Sequence, residues 1–289
     1  MSSRPLNILS VDVEDWYQGV SLLAGLPASG RLHVAFRRGL HRLLDLLDRQ
    51  GVKGTFFVLG MTAEKDASLV GDLASAGHEI ATHGYGHRHL WHLTTEEFRD
   101  DLRRGLGILR ERTDLPVLGH RAPQFSVPRD RTLDFFQVLA EEGLAYDSSV
   151  YPFAGRRYGL ADRPREIHRV ETPAGPILEV PLSVRTVLGR PLPVSGGGVW
   201  RLLPAFLIAD CIRRLNRKDL PMVTYVHNYE FDPEPLRCEE GGVPPGTRSR
   251  RINFLQNLRR GSAYGKLRAM LEQFRFVPIR EYLTAKGLL

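Results

Sequence analysis

The residues whose type and spacing best suit chemistry are His83 and His87, four apart in "IATHGYGHRH" (80–89). On a helix, two imidazoles at that spacing share one face, as in zinc-binding helices. Here Gly84 and Gly86 lie between them, and each glycine costs a helix about 1 kcal/mol relative to alanine. A loop or tight turn that aims both rings inward is the expectation, with His89 outside the pair. Standing alone, such a pair could equally be two hydrogen-bonded histidines. The acids of "SVDVEDW" (10–16), Asp12, Glu14 and Asp15, add what a metal centre needs. One carboxylate with two imidazoles leaves coordination positions open and suits catalytic zinc or non-haem iron.

Three more ionisable residues occupy comparable places. Arg121, just before Pro123 in "GHRAPQFS", could be a surface charge or could keep a nearby carboxylate ionised and oriented. Asp147 follows "LAY", and His227 ends "MVTYVH", where it could be a core histidine or a proton donor. In each case a polar group appears where an apolar strand gives out. The three acids follow "LNILSVDV" (6–13), and the histidine pair follows "HEIAT" (78–82). In α/β barrels the chemistry lies at that carboxyl end of the strands.

The strands alternate with helical stripes. Phe36, Leu40, Leu43, Leu44 and Leu47 line one face of 33–50, which Gly51 ends. Thr94 and Glu97 form a capping-box signature ahead of Phe98, Leu102, Leu106 and Leu109. Further helices are expected through Leu69, Val70 and Leu73, near 131–142 and near 201–216, and "TFFVL" (55–59) reads as another strand. This alternation predicts a parallel sheet or barrel. With 289 residues, 42% of them hydrophobic, the chain can bury a large core. The Pro- and Gly-rich stretch 232–249 predicts a boundary, dividing 1–232 from an extension at 233–289.

Composition narrows the setting. Cys211 and Cys238 are the two cysteines, and they suggest neither a disulfide framework nor a zinc knuckle. No apolar run approaches the roughly 20 residues of a membrane helix. The first residues lack an apolar signal stretch, so a cytoplasmic setting is expected. The net charge of +7 is uneven: from Pro245 onward ten Lys or Arg face two Glu, a balance of +8, against −1 for residues 1–244. A basic segment of this kind is either a solvated face or a surface for an anionic partner such as a membrane, and nucleic acid is not an expected partner.

In order along the chain, "SVDVEDW", "ATHGYGH", "GHRAPQFS", "YDSSVYP" and "VTYVHNYEFDP" resemble the polysaccharide deacetylases of the NodB-homology type, carbohydrate esterase family 4. "SGGGVWRLLP" and the basic segment resemble the branch linked to exopolysaccharide export. The resemblance implies a distorted, incomplete (β/α) barrel over residues 1–232, with the C-terminal extension packed on it. It implies a hydrolase that removes N-acetyl groups from an amino-sugar polysaccharide or its lipid-linked precursor. Asp12 would be the base, Arg121 would orient it, His227 would be the acid and Asp147 its partner. His83 and His87 would hold one divalent ion, zinc first, with iron, cobalt, nickel or manganese as alternatives. Many members carry adjacent aspartates at the first motif, but this chain reads Asp-Val-Glu-Asp. The resemblance to members with Asp-x-Asp, whose ligand stands two after the base, implies Glu14 as the third ligand, with Asp15 as the alternative. The implied location is cytoplasmic, peripheral at the inner membrane face. Rival readings are an amidase for a small non-sugar amide, a non-haem iron oxygenase with the same ligand set, and a non-catalytic glycan or polyanion binder.

Overall fold

A computed structural model describes residues 4–19, 32–155 and 158–289. The first half alternates as the sequence predicts: β1 (Leu6–Val13), α1 (Val34–Arg49), β2 (Thr55–Val58), α2 (Gly60–Lys65), α3 (Leu69–Ser75) and β3 (Glu79–Thr82). It continues with α4 (Thr95–Arg110), β4 (Gly119–His120), α5 (Thr132–Glu141) and β5 (Tyr146–Asp147). Then come β6 (His168–Val170), β7 (Ile177–Glu179) and a separate hairpin of β8 (Val184–Val187) and β9 (Arg190–Pro193). The last part holds α6 (Gly197–Leu202), α7 (Ala205–Asn216), β10 (Val223–His227), α8 (Thr247–Asn257), α9 (Ala263–Gln273), β11 (Arg275–Val277) and α10 (Ile279–Ala285).

The main sheet runs β10-β1-β2-β3-β4-β5-β7-β6, parallel except where β6 meets β7, and β11 also pairs with β1. Among the described residues no ladder joins β10 to β6 or β7, so the curled sheet stays an open, incomplete barrel. Side-chain alternation along each strand splits the core in two. Leu9, Val11 and Val13 of β1 face the helices with Phe36, Leu43, Phe56, Val58 and Leu102. Ile8 faces the barrel interior with Phe57, Tyr146, Val180 and Tyr225. Asp12 and Ser10 share parity with Ile8, so the same period of two aims Asp12 inward.

Two elements depart from the expectation. The helix expected at 201–216 is two helices, α6 and α7, because Pro204 cannot donate an amide hydrogen and caps the second instead. The segment expected to lie on the barrel as an extension contributes to it. β11 pairs in parallel with the start of β1, Leu6 opposite Arg275 and Ile8 opposite Val277. α10 then buries Ile279, Tyr282 and Leu283 in the interior cluster, closing the end of the barrel away from the strand carboxyl ends. Its first amides find partners there: Ile279 N–H donates to Thr55 Oγ1 at 2.8 Å and Arg280 N–H to the buried Glu79 Oε2 at 3.0 Å.

Candidate active site

Strand register brings the expected residues to one level. Asp12 lies directly opposite His227 on adjacent parallel strands β1 and β10. One step along, Val58, Thr82, His120, Asp147 and Glu179 form a continuous row across β2, β3, β4, β5 and β7. The loops after this row carry Glu14, His83, His87 and Arg121.

The histidine loop, residues 83–89, is irregular, as the two glycines demand. Gly84 has φ 76° and His87 has φ 55°, both left-handed. The φ of Gly84 is one that L side chains rarely adopt, and a Cβ there would also displace Asp101 Oδ2, which it would meet at 2.8 Å. Asp101, on α4, clamps the loop by accepting from Tyr85 N–H at 2.7 Å and Gly86 N–H at 3.3 Å. His83 Nδ1 lies 2.7 Å from the Arg121 carbonyl. A carbonyl only accepts, so Nδ1 carries the hydrogen and Nε2 presents its lone pair.

Glu14, His83 and His87 each offer a ligand atom, all within 4.8 Å of one another, and all three residues are buried. Among the described residues, both ring nitrogens of His87 are buried without a hydrogen-bond partner, although Nε2 lies 2.5 Å from Glu14 Oε2. Buried polar atoms are ordinarily paired, so converging lone pairs of this kind fit a cation between them. Burial alone would raise the Glu14 carboxyl, but the His87, His83 and His227 rings around it outweigh burial and hold the group well below its ordinary value.

Asp15 lies elsewhere in the network. Its Oδ2 accepts from His33 N–H at 2.6 Å and sits 2.9 Å from His33 Nδ1, and Oδ1 accepts from Tyr17 N–H at 3.2 Å. Those contacts tie the segment after β1 to the start of α1. Of the two acids in "DVED" that could complete the ligand set, the structure brings Glu14 to the imidazoles.

Arg121 is fully buried and fans out between two strands. Nη1 donates to Asp12 Oδ1 at 2.7 Å and to Ser10 Oγ at 2.8 Å. Nε and Nη2 donate to the Ser148 carbonyl and Oγ, each at 2.9 Å. The guanidinium also stacks 4.1 Å over the Phe57 ring. Every contact locks the orientation of the fork, and with it Asp12.

His227 faces the same space, its Nε2 3.5 Å from Glu14 Oε1. The acid beside its other nitrogen is Glu230, not Asp147. Asp147 Oδ1 lies 2.7 Å from His120 Nδ1 and accepts from Ser149 Oγ at 2.7 Å, and Oδ2 accepts from Ser149 N–H at 2.9 Å. Burial, with the neighbouring Asp147, pushes Glu179 well above its ordinary value behind that cluster. Sequence reasoning missed Glu230, His120 and Glu179. The one available signal was the spacing of "HNYE", which a tight turn folds back on itself. Burial pulls the His227 ring down, but the hydrogen bond to Glu230 and the charges of Glu14, Glu230 and Asp12 carry it to about 9. Trp16 and Tyr17, which follow Asp15 in the chain, are core residues at 2% and 4% exposure.

Residues 35–144 match the family model described as polysaccharide deacetylase, and residues 148–284 match a domain of unknown function, DUF3473. The second match runs across the boundary expected at 232, in keeping with the role of β11 and α10 in the barrel. The chain is 36% identical over 87 residues to a peptidoglycan-N-acetylglucosamine deacetylase of Bacillus cereus, covering 30% of each chain. It is 30% identical over 128 residues to the peptidoglycan deacetylase-like protein FGM2 of Gibberella zeae, covering 44% of this chain and 37% of that one. It therefore spans well under half the length of these curated relatives. Among solved structures, a protein described as a polysaccharide deacetylase from Mycobacterium smegmatis superposes with TM-score 0.59 at 22% identity, covering 100% of this chain and 96% of that one. Puue allantoinase superposes with TM-score 0.61 at 17% identity, covering 98% and 91%. Both likenesses concern the fold. The deacetylase match spans the elements that carry the histidine pair and Arg121, so residues 35–144 belong to a polysaccharide deacetylase domain of the NodB-homology type, carbohydrate esterase family 4.

Proposed function

We propose that the protein is a metal-dependent hydrolase that removes N-acetyl groups from an amino-sugar polysaccharide or its lipid-linked precursor, of the kind assembled for exopolysaccharide export. The observation that carries this reading is the convergence of Glu14, His83 and His87 beside an Arg-held Asp12, with His227 one strand away. A divalent ion, zinc first, held by those three residues would act as a Lewis acid that polarises the acetyl carbonyl and lowers the pKa of water. Asp12, fixed by Arg121, takes one proton from the water as its oxygen forms the new bond to the acetyl carbon. His227, protonated, gives a proton to the nitrogen as the C–N bond breaks, so a free amine leaves with acetic acid, which ionises to acetate in solution. Acid–base assistance of this kind contributes about 10²–10⁴-fold. Neither the oxygenase nor the small-amide reading gains support from the deacetylase match. Released acetate from N-acetylated oligosaccharides is the direct test.

The His227 part has its own signature. A ring lifted to about 9 is protonated at neutral pH and loses its proton as pH rises through that value. An ion on Glu14 shares the charge that helps to lift it, so the working value lies at or below about 9. The expected result is a rate that holds through neutral pH and falls on an alkaline limb in that range. His227→Ala should lower kcat about 10²–10⁴-fold and remove the limb, with metal content unchanged. An alkaline limb that survives the substitution would return His227 to a packing role.

A peripheral contact with an anionic, inner-face membrane is the second part of the proposal. Among the described residues no helix is long and apolar enough to cross a membrane. α8 supports contact without crossing, because its polarity is inverted. Asn253 and Asn257 point inward to accept from Cys238 N–H at 2.8 Å and Leu236 N–H at 2.9 Å, while Phe254 and Leu255 are 64% and 50% exposed. Arg250 and Arg251 are exposed on the same helix. Each basic residue near an anionic surface contributes about 1 kcal/mol, decaying over roughly 8 Å at physiological salt. Co-sedimentation with phosphatidylglycerol vesicles should weaken steeply with salt, and with Arg250→Ser/Arg251→Ser/Phe254→Ser. Binding that ignores both salt and these substitutions would leave α8 a purely structural helix.

A further inference from the structure

We infer that Glu230, backed by Arg201, is the positioning pair for His227, in the place that sequence reasoning gave to Asp147. The inference rests on the deacetylase reading above, since it concerns the acid of that reaction. Asp147 is engaged by His120 and Ser149 in the row behind Arg121. Glu230 sits three residues after His227 on the tight turn Asn228–Phe231, with 3% of its surface exposed. Its Oε2 accepts from the His227 backbone N–H at 3.0 Å and lies 3.4 Å from the ring Nδ1. A carboxylate oxygen holding the residue's own backbone and facing its Nδ1 fixes which edge of the ring points away from the site. Nε2 is then the atom turned toward Glu14, at 3.5 Å.

The aromatic neighbours complete the fixing. Tyr229 stacks on the imidazole with centroids 5.0 Å apart at 21°, and Tyr225 meets it edge-on at 5.6 Å and 85°. Those rings restrict the plane of the imidazole but cannot tell one nitrogen from the other, and Glu230 does that. The second carboxylate oxygen, Oε1, lies 3.5 Å from Arg201 Nε at the end of α6. Arg201 Nη1 donates to the Gln256 carbonyl of α8 at 2.6 Å, and Lys266 Nζ holds the Trp200 and Arg201 carbonyls at 2.9 and 2.8 Å. The pair is thereby anchored in the C-terminal half, within the segment matched as a domain of unknown function. That segment supplies His227, the side chain that orients it and the cation that holds the orienting carboxylate.

Carboxylates that orient metal-bound histidines typically change activity about 10–100-fold when removed, and an effect of that size is expected for one that orients a proton-donating histidine. Glu230→Ala should therefore lower kcat about 10–100-fold with KM and metal content little changed. Glu230→Gln, isosteric and still an acceptor, should fall between. Residues that act as a unit are non-additive. In the His227→Ala background, Glu230→Ala should cost nothing further, whereas a purely structural role would add its loss in full. Proton NMR supplies a readout that needs no turnover: a downfield ring N–H of His227 present in the wild type, lost in Glu230→Ala and retained in Glu230→Gln. Full kcat in Glu230→Ala, an additive double variant or an unmoved resonance would overturn the inference. If the wild type releases no acetate while the resonance behaves as stated, the deacetylase reading falls and the positioning stands.

Discussion

Glu14→Ala is expected to empty the metal site and abolish turnover, while Asp15→Ala keeps its ion. The two acids are adjacent in sequence yet face different partners. Glu14 Oε2 lies 2.5 Å from His87 Nε2 and 3.7 Å from His83 Nε2, whereas Asp15 is spent on His33 and Tyr17. His83→Ala with His87→Ala should have the same outcome as Glu14→Ala. On the proposed reading three ligands would share one ion, and removing any of them would leave the other two too few to hold it. Metal content by mass spectrometry of the purified variants checks this. Loss of metal in Asp15→Ala but not in Glu14→Ala would reverse the assignment. Asp15→Ala should still show a cost in stability, because it removes the carboxylate that accepts from the His33 and Tyr17 backbone N–H groups.

The second large effect is expected at Asp12. Asp12→Asn should stop turnover, by about 10²–10⁴-fold or more, with the ion still bound. Asparagine keeps an oxygen for Arg121 but cannot take a proton. The substitution also leaves a fully buried guanidinium beside a neutral group, and breaking a buried pair costs about 3–5 kcal/mol when nothing replaces it. The Ser10 and Ser148 bonds to Arg121 remain, so folding should persist with a lowered Tm. Unchanged kcat would remove Asp12 from the reaction, and loss of metal would place it among the ligands.

Much of this was legible before any coordinates. The period of two in β1 announces which side of the strand Asp12 takes, and the run of glycines in "HGYGH" rules out a helix, leaving the loop whose left-handed Gly84 and His87 are observed. The capping box at Thr94 forms as read, Thr94 Oγ1 accepting from Glu97 N–H at 3.2 Å and Glu97 Oε2 from Thr94 N–H at 2.8 Å. What escaped depends on contacts with no local pattern. β11 is three residues long, and its partner is β1 at the opposite end of the chain, so periodicity carries no trace of the pairing. Glu230 escaped for the opposite reason. It is near His227 in sequence, but only the turn at Asn228–Phe231 brings the two together. The resemblance makes Asp147 the partner of His227, whereas the row of paired residues across β4, β5 and β7 gives it His120 and Glu179 instead.

The central claim, that Glu14, His83 and His87 hold an ion used to hydrolyse N-acetyl amides, is most directly tested by acetate release from N-acetylglucosamine oligosaccharides. Wild-type protein should release acetate, lose that activity in a chelator and regain it when zinc or another divalent ion is returned, while Glu14→Ala stays inactive throughout. Acetate released at an undiminished rate in chelator, or by Glu14→Ala, would contradict it.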